Sequence, residues 1–119
     1  YEAVRKDIEA VVGVKDLDPH TIVKVIIETG FLSNREKSLA CRLVKEAKAD
    51  FVKTSTGLFG GEATVEDVKL MRRAVGKEVG VKAAGGIRSL KDALSLIEAG
   101  ANRIGTSTAI KIIEEMPEQ

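Results

Sequence analysis

The sequence lacks the features that mark several classes of protein. Its 119 residues include one cysteine, Cys41, so an internal disulfide framework is excluded and a reducing compartment, the cytoplasm, is expected. No apolar run approaches the roughly 20 residues of a membrane span. The 19 basic and 18 acidic side chains nearly cancel, which gives no electrostatic case for nucleic acid as a partner. No cluster of Cys, His and carboxylates has metal-ligand spacing, so no metal site is predicted.

Apolar residues recur at helical and strand spacing along the chain. A stripe at every third or fourth position predicts a helix over 2–12 and another over 109–115. Ser33, Thr64 and Ser89 are residue types that cap helix N-termini, and each precedes a further apolar stripe. Runs rich in β-branched residues predict strands at 22–29, 51–55, 79–83 and 103–106. The first run is continuous, as in a fully buried parallel strand.

The predicted order, αβαβαβαβα, is typical of right-handed βαβ units and a parallel sheet. Two α/β architectures fit it: an open doubly wound sheet and part of a (β/α)8 TIM-type barrel. A dinucleotide-binding sheet carries its glycines after the first strand, whereas this chain carries them after the third and fourth. Loops after the last two strands of a barrel bind phosphate, which favours the barrel. A barrel needs about 250 residues, so the chain supplies about half of one.

Two successive strands each carry a lysine. Lys53 lies in DFVKTSTG at 50–57, and Lys82 lies in VGVKAAGGI at 79–87. Burying an ammonium without a partner is costly, and two such groups side by side disfavour each other's charge. A lysine in this position can be a neutral amine that attacks a carbonyl to form a Schiff base. The alternative is that either lysine reaches solvent or pairs with a carboxylate.

Turns rich in glycine and hydroxyls follow these strands. Bare backbone N–H groups at the start of a helix suit a phosphate. Either turn alone is also an ordinary connection, so the prediction rests on two of them at neighbouring strand ends. A third turn, with Gly57, Gly60 and Gly61, could close over a ligand or simply connect. The candidate phosphate-binding residues are Gly57, Gly85, Gly86, Arg88, Gly105 and Ser107.

Other polar residues are expected to be structural. Lys24 and Glu28 share a face of the first predicted strand. Glu28 could pair with Lys24 or lie at the rim, and of the two an ion pair is expected. His20 follows Pro19 in a loop away from the predicted site and is interpreted as a surface residue. Cys41 lies beside Ala40 on a helix and is interpreted as a small packing residue.

Together with the rest of the sequence, the two lysine strands and the turns that follow them resemble deoxyribose-phosphate aldolase. The resemblance extends from about Val4 to Ile112. The segments that carry the resemblance are VKVIIETG (23–30), DFVKTSTG (50–57), ATVEDVKLMRRAVG (63–76), VGVKAAGGIRS (79–89) and DALSLIEAGANRIGTS (92–107). It implies a (β/α)8 class I aldolase that needs no metal or other cofactor. The implied reaction cleaves 2-deoxy-D-ribose 5-phosphate to acetaldehyde and D-glyceraldehyde 3-phosphate. Lys53 matches the Schiff-base lysine and Lys82 the second lysine that tunes it, while the glycine turns match the phosphate loops.

The resemblance also has a gap. In the family an aspartate on the fourth strand assists proton transfer, and this chain is expected to begin in the helix after that strand. Residues 1–119 would then be the C-terminal half of a single barrel domain, its last four βα units. Such a half leaves open strand edges and an exposed core face, so we expect self-association or pairing with the missing N-terminal half.

Two other functions remain open at this stage. The chain could be a non-catalytic half barrel that acts as a structural or association unit. It could also belong to another phosphate-binding barrel enzyme that shares only the loop scaffold, because a fold does not fix a function.

Overall fold

Helices and strands alternate along the chain, as the sequence predicts. The computed structural model describes residues 1–118. The helices are α1 (Glu2–Val12), α2 (Asn34–Glu46), α3 (Val65–Val75), α4 (Leu90–Ala99) and α5 (Ala109–Glu114). The strands are β1 (Lys24–Ile26), β2 (Phe51–Lys53), β3 (Gly80–Ala84) and β4 (Arg103–Gly105). Short 3-10 turns occupy Gly13–Asp16 and Thr29–Phe31. Over residues 1–118, no helix has the length and hydropathy of a membrane span.

The four strands form one parallel sheet in the order β1-β2-β3-β4. Because side chains alternate along a strand, each strand presents one set of residues to the helices. Val52, Val81 and Ala83 belong to this set and are fully buried. They pack with Val44, Val68, Met71 and Val75 from the helices in the main hydrophobic core. The core therefore lies between the sheet and the helices, on one side of the sheet only.

The other side of the sheet is the inner face, formed by Lys24, Ile26, Phe51, Lys53, Gly80, Lys82 and Arg103. The strand register places these residues in adjacent rows. Ile26 keeps 43% of its surface exposed, although it lies within the sheet. A closed barrel would bury this face, and the present chain does not cover it.

Capping residues set the helix boundaries, and all three predicted caps are confirmed. Ser33 accepts from Glu36 N, and the Glu36 carboxylate accepts from Ser33 N, which completes a capping box. Thr64 and Ser89 accept from the backbone three residues on. Each cap occupies one otherwise unpaired N–H of a helix end.

The first strand is shorter than predicted, and it is not fully buried. β1 covers Lys24–Ile26 rather than 22–29, because the backbone turns sharply at Glu28 (φ 52°, ψ 68°). Ile22, just before β1, is 49% exposed, and β1 is an edge strand that pairs only with β2 among residues 1–118. The apolar run correctly marks a barrel strand, but its buried environment is not supplied by this chain.

Candidate functional site

A cavity of about 460 Å³ lies where β2, β3 and β4 end. Loops after these three strands enclose it, because the carboxyl ends of parallel strands meet at the same edge of a sheet. Lys53 and every candidate phosphate residue line this one cavity, namely Gly57, Gly85, Gly86, Arg88, Gly105 and Ser107. Thr56, Ala84, Ile87 and Thr106 complete the lining. Residues from three separate turns are thus brought to one concave site.

Lys53 and Lys82 lie side by side on the inner face. They are direct partners in the parallel register of β2 and β3, and neighbouring strands are about 4.8 Å apart. Lys53 lines the cavity, whereas Lys82 lies next to it. The Lys82 Cε is 3.2 Å from the position that a Cβ on Gly105 would take. A side chain at residue 105 would therefore press on Lys82, and glycine leaves that space free.

Positive charge surrounds the Lys82 ammonium. Partial burial lowers its pKa, and the charges of Lys24 and Arg103 lower it further. These two cations come from the strands on either side of the lysine pair. The inner face thus works against protonation of Lys82.

Gly85 is needed where two loops meet. Its φ is +107°, and a Cβ there would lie 2.4 Å from the Gly61 carbonyl oxygen. The loop after β2 crosses it closely, and Ala63 N donates to Gly85 O at 2.9 Å. This glycine therefore has a packing reason in addition to any contact with a ligand.

Two hydroxyls that the sequence did not single out join these loops. Thr54 Oγ1 donates to Ala84 O (2.9 Å) and accepts from Ala84 N (3.0 Å). Ser55 Oγ donates to the same carbonyl at 2.8 Å. Both residues are fully buried, so the end of β2 is fixed against the end of β3. The sequence feature that could have identified these two residues is the hydroxyl-rich segment TST at 54–56, directly after Lys53.

Glu28 does not pair with Lys24, so that prediction is wrong. The residue lies beyond β1, and its carboxylate accepts from Thr56 N and Thr56 Oγ1.

The predictions for His20 and Cys41 are consistent with the structure. His20 is exposed, and Cys41 is fully buried, which raises the pKa of its thiol to about 12.

The cavity combines a strand lysine, a neighbouring cation and glycine-rich loops at the carboxyl ends of parallel strands. The sequence pattern of the DeoC/LacD family of aldolases matches residues 19–114 of this chain. The chain belongs to the DeoC/LacD aldolase family.

Relatives of this aldolase-family chain are found among characterised sequences and solved structures. It is 60% identical to the deoxyribose-phosphate aldolase of Thermococcus kodakarensis over 119 residues, which is 100% of this chain and 53% of that protein. An aldolase named QR15 aligns with a TM-score of 0.87 at 43% identity, over 96% of this chain and 52% of that one. The deoxyribose-phosphate aldolase of Aeropyrum pernix, described as tetrameric, aligns with a TM-score of 0.86 at 37% identity, over 95% and 48% respectively.

The chain spans about half the length of the relatives it matches. Its four parallel strands with alternating helices superpose on half of an aldolase barrel. The predicted fold, half of a (β/α)8 TIM-type barrel, is confirmed.

The open inner face of this half barrel is rich in positive charge. Lys24, Lys53, Lys82 and Arg103 all lie on it. Two of them contact the Phe51 ring, with Arg103 Cζ 4.4 Å and Lys24 Nζ 5.8 Å from its centroid. The ion pairs found within residues 1–118 are Arg5–Glu2, Arg5–Glu9, Lys15–Asp50 and Lys37–Asp67. In the part of the chain that the structure describes, no carboxylate thus forms an ion pair with an inner-face cation.

Proposed function

We propose that residues 1–119 are the C-terminal half of a class I aldolase barrel that cleaves 2-deoxy-D-ribose 5-phosphate to acetaldehyde and D-glyceraldehyde 3-phosphate. The observation that carries this proposal is the placement of Lys53. It opens into a cavity walled by three glycine and hydroxyl loops, with a second lysine directly beside it. The name of the Thermococcus kodakarensis relative supports the same activity.

In this proposal Lys53 is the nucleophile. Its amine bonds to the aldehyde carbon of the open-chain sugar, and water leaves to give an iminium. The bond between C2 and C3 then breaks as the iminium accepts its electron pair, while a base removes the proton of the C3 hydroxyl. D-glyceraldehyde 3-phosphate leaves, and protonation and hydrolysis of the remaining enamine release acetaldehyde. Lys82, the register partner of Lys53 on β3, places a second amine beside these steps.

The substrate phosphate is proposed to bind at the far end of the cavity from Lys53. Gly85, Gly86, Gly105 and Ser107 offer backbone close to the cavity, since three of these residues have no side chain. Arg88 is exposed at the cavity wall and can pair with phosphate oxygens. The cavity therefore has a covalent end at Lys53 and an anion-binding end at the glycine loops.

The missing part of the barrel is proposed to be the N-terminal half. The inner-face cations have no carboxylate partner within residues 1–118, and burying four cations unpaired is costly. A covering surface that carries carboxylates would pair with them, and the implied fourth-strand aspartate would come from that surface. Self-association of the complete protein is proposed from the tetrameric Aeropyrum pernix relative. Cytoplasmic location and the absence of nucleic-acid or membrane partners stay predictions from the sequence.

The first experiment traps the covalent intermediate. A complete barrel, either the full-length protein or this chain reconstituted with the missing half, is treated with acetaldehyde and sodium borohydride. We expect reduction to leave an ethyl group on Lys53, identified by peptide mapping, because Lys53 lines the cavity. Lys53→Met should abolish the adduct.

Lys77→Met is the matched control, since Lys77 is an exposed lysine outside the cavity, and labelling should be unchanged. An adduct on Lys82, or no adduct in a folded barrel, would contradict the assignment of roles.

A further inference from the structure

Glu28, whose carboxylate is hydrogen-bonded to the cavity-lining Thr56, holds an unusual backbone conformation. Its φ of 52° and ψ of 68° are left-handed, which is uncommon for a residue with a side chain. Backbone hydrogen bonds on both sides enforce this conformation: Ile27 N donates to Lys53 O (3.1 Å), and Thr29 N donates to Thr54 O (2.9 Å). The chain is thus tied to β2 immediately before and after Glu28, and the turn between these ties brings its carboxylate to Thr56.

Within residues 1–118, the hydrogen bonds of the Glu28 carboxylate are all with Thr56. Thr56 Oγ1 donates to Glu28 Oε2 at 2.8 Å, and Thr56 N lies 3.1 Å from the same oxygen and 3.3 Å from Oε1. A threonine hydroxyl has one proton, and here that proton is given to Glu28. The hydroxyl oxygen then accepts from Leu58 N at 3.2 Å. A continuous chain of hydrogen bonds therefore runs from Glu28 through Thr56 to Leu58.

This chain of hydrogen bonds spans Gly57, which little else holds in place. Gly57 has a φ of +80°, and apart from its two chain neighbours no residue among 1–118 has an atom within 4 Å of the position its Cβ would take. Leu58 and Phe59, which follow it, are 81% and 65% exposed. The Phe59 ring contacts only the Phe31 ring among aromatic side chains of residues 1–118, at 5.6 Å between centroids. The loop thus lacks core packing, and local hydrogen bonds fix its backbone.

Thr56 and Gly57 form one wall of the cavity, on the loop that follows Lys53 at the end of β2. Lys53 and the glycine turns line the same cavity as this wall, so movement of the wall changes the shape of the space that a ligand between them would occupy. If the wall moves, the loop must be ordered again when a ligand binds, and that ordering reduces affinity.

We propose that Glu28 is a positioning residue that sets the affinity of the cavity for its phosphorylated ligand by holding the Thr56–Gly57 wall. It acts through Thr56 and takes no part in the bond changes at Lys53. This inference rests on the proposed function for the identity of the ligand, while the hydrogen bonds that carry it are independent of that function.

The test compares Glu28→Gln with Glu98→Gln in a complete barrel. Glutamine keeps the size of Glu28 and one acceptor oxygen, but it removes the negative charge, so the charge-assisted hydrogen bonds with Thr56 become weaker neutral ones. Glu98 is an exposed glutamate on α4, away from the cavity, and serves as the matched control. For Glu28→Gln we expect the KM for 2-deoxy-D-ribose 5-phosphate to rise about fivefold to tenfold. We expect kcat within about twofold, an unchanged pH profile and unchanged acetaldehyde trapping on Lys53.

A double-mutant cycle with Thr56→Val tests whether the two residues act through each other. Valine keeps the shape of threonine and removes the hydroxyl, so the double variant should be little worse than the poorer single variant. Amide hydrogen exchange at Thr56 and Leu58 should be faster in Glu28→Gln and unchanged in Glu98→Gln.

Each remaining outcome overturns the inference. A fall in kcat or a lost limb of the pH profile would make Glu28 a catalytic residue, and an unchanged KM would show that the wall does not need it. If the unsubstituted barrel does not cleave the sugar phosphate, the proposed function fails separately. Inorganic phosphate is then the probe. Equal affinity for phosphate in the unsubstituted protein and in Glu28→Gln would overturn the positioning role.

Discussion

Lys82 lies beside other cations on the inner face. Burial and the charges of Lys24 and Arg103 lower its pKa below the usual 10.5. The unfolded chain therefore holds the Lys82 proton more tightly than the folded chain does. The charged form carries a penalty that is fully present below the lowered pKa, and stability rises as pH increases from there to about 10.5.

Lys82→Leu should separate the role of this charge in catalysis from its cost to the fold. We expect kcat of a complete barrel to fall about a hundredfold, because the cation beside Lys53 is lost. We expect no loss of stability, and the increase of unfolding free energy with alkaline pH should become smaller. Steady-state kinetics and urea unfolding at several pH values measure the two effects.

The control for this substitution is Lys69→Leu, at an exposed position on α3. Turnover that stays unchanged in Lys82→Leu across the pH range would remove Lys82 from the mechanism. A lower Tm together with loss of the far-ultraviolet circular dichroism signal would instead show that the substitution disrupts folding.

The lysine pair could be predicted from the sequence, whereas the Glu28 contact could not. Strand alternation and parallel order are local properties, and together they place Lys53 and Lys82 on one face. Glu28 lies within the continuous run at 22–29, which predicted that it shares a strand face with Lys24. Its left-handed turn depends on hydrogen bonds to β2, formed with residues more than 20 positions away, and no local pattern signals them.

At the scale of secondary-structure elements, Arg72 connects the ends of three elements, α3, α4 and β3. Arg72 on α3 donates from Nη1 to Gly76 O and Val79 O, both at 2.8 Å. Its Nε and Nη2 donate to Gly100 O at 3.0 and 2.9 Å, and Nη2 also donates to Asn102 Oδ1. The ends of α3 and α4 and the start of β3 thus share one guanidinium. Burial lowers the pKa of Arg72, which is the cost of placing a charge there.

Replacing Arg72 with lysine should destabilise the fold by about 2–3 kcal/mol. Lysine keeps the charge but cannot supply the planar set of donors, so carbonyl groups at two helix ends lose their partners. Arg73→Lys is the matched control, because Arg73 is the next residue and is exposed. Urea unfolding measures both variants, and a difference below about 0.5 kcal/mol would contradict the role of Arg72.

The helix boundaries were predictable, and this arginine was not. Ser33, Thr64 and Ser89 act on backbone groups three residues away, so their effect is written in the local sequence. The partners of Arg72 at Gly100 and Asn102 lie 28 and 30 positions along the chain. Their approach depends on how α3 and α4 pack, which a one-dimensional pattern does not specify.

At the scale of the whole molecule, apolar surface is exposed where a second half of the barrel would lie. Ile26 on β1 is 43% exposed and Val4 on α1 is 51% exposed. At the other edge, Leu94 on α4 is 54% exposed, and Ile110 and Ile113 on α5 are 75% and 64% exposed. Roughly 400 Å² of such surface, at about 25 cal/mol per Å², corresponds to about 10 kcal/mol. That is comparable to the whole net stability of a small domain, about 5–15 kcal/mol.

The 119-residue chain alone is therefore expected not to be an active monomer. Two copies could pair through their inner faces and cover both open edges, as an association unit would. Such a pair would hold two Lys53–Lys82 sites and eight cations face to face, and the implied fourth-strand aspartate would still be missing. We expect sedimentation to show self-association, and turnover of the sugar phosphate to remain far below that of a complete barrel.

Complementation with half of a relative makes this prediction specific. The Thermococcus kodakarensis aldolase is 60% identical over the matched region, which is 53% of its length. Its unmatched segment, expressed separately and refolded with this chain, should cover the inner face and raise turnover. The same mixture with Lys53→Met should stay inactive, because the nucleophile then comes from neither half. A stable monomer of this chain, or full turnover without the added segment, would show that the open face needs no second half.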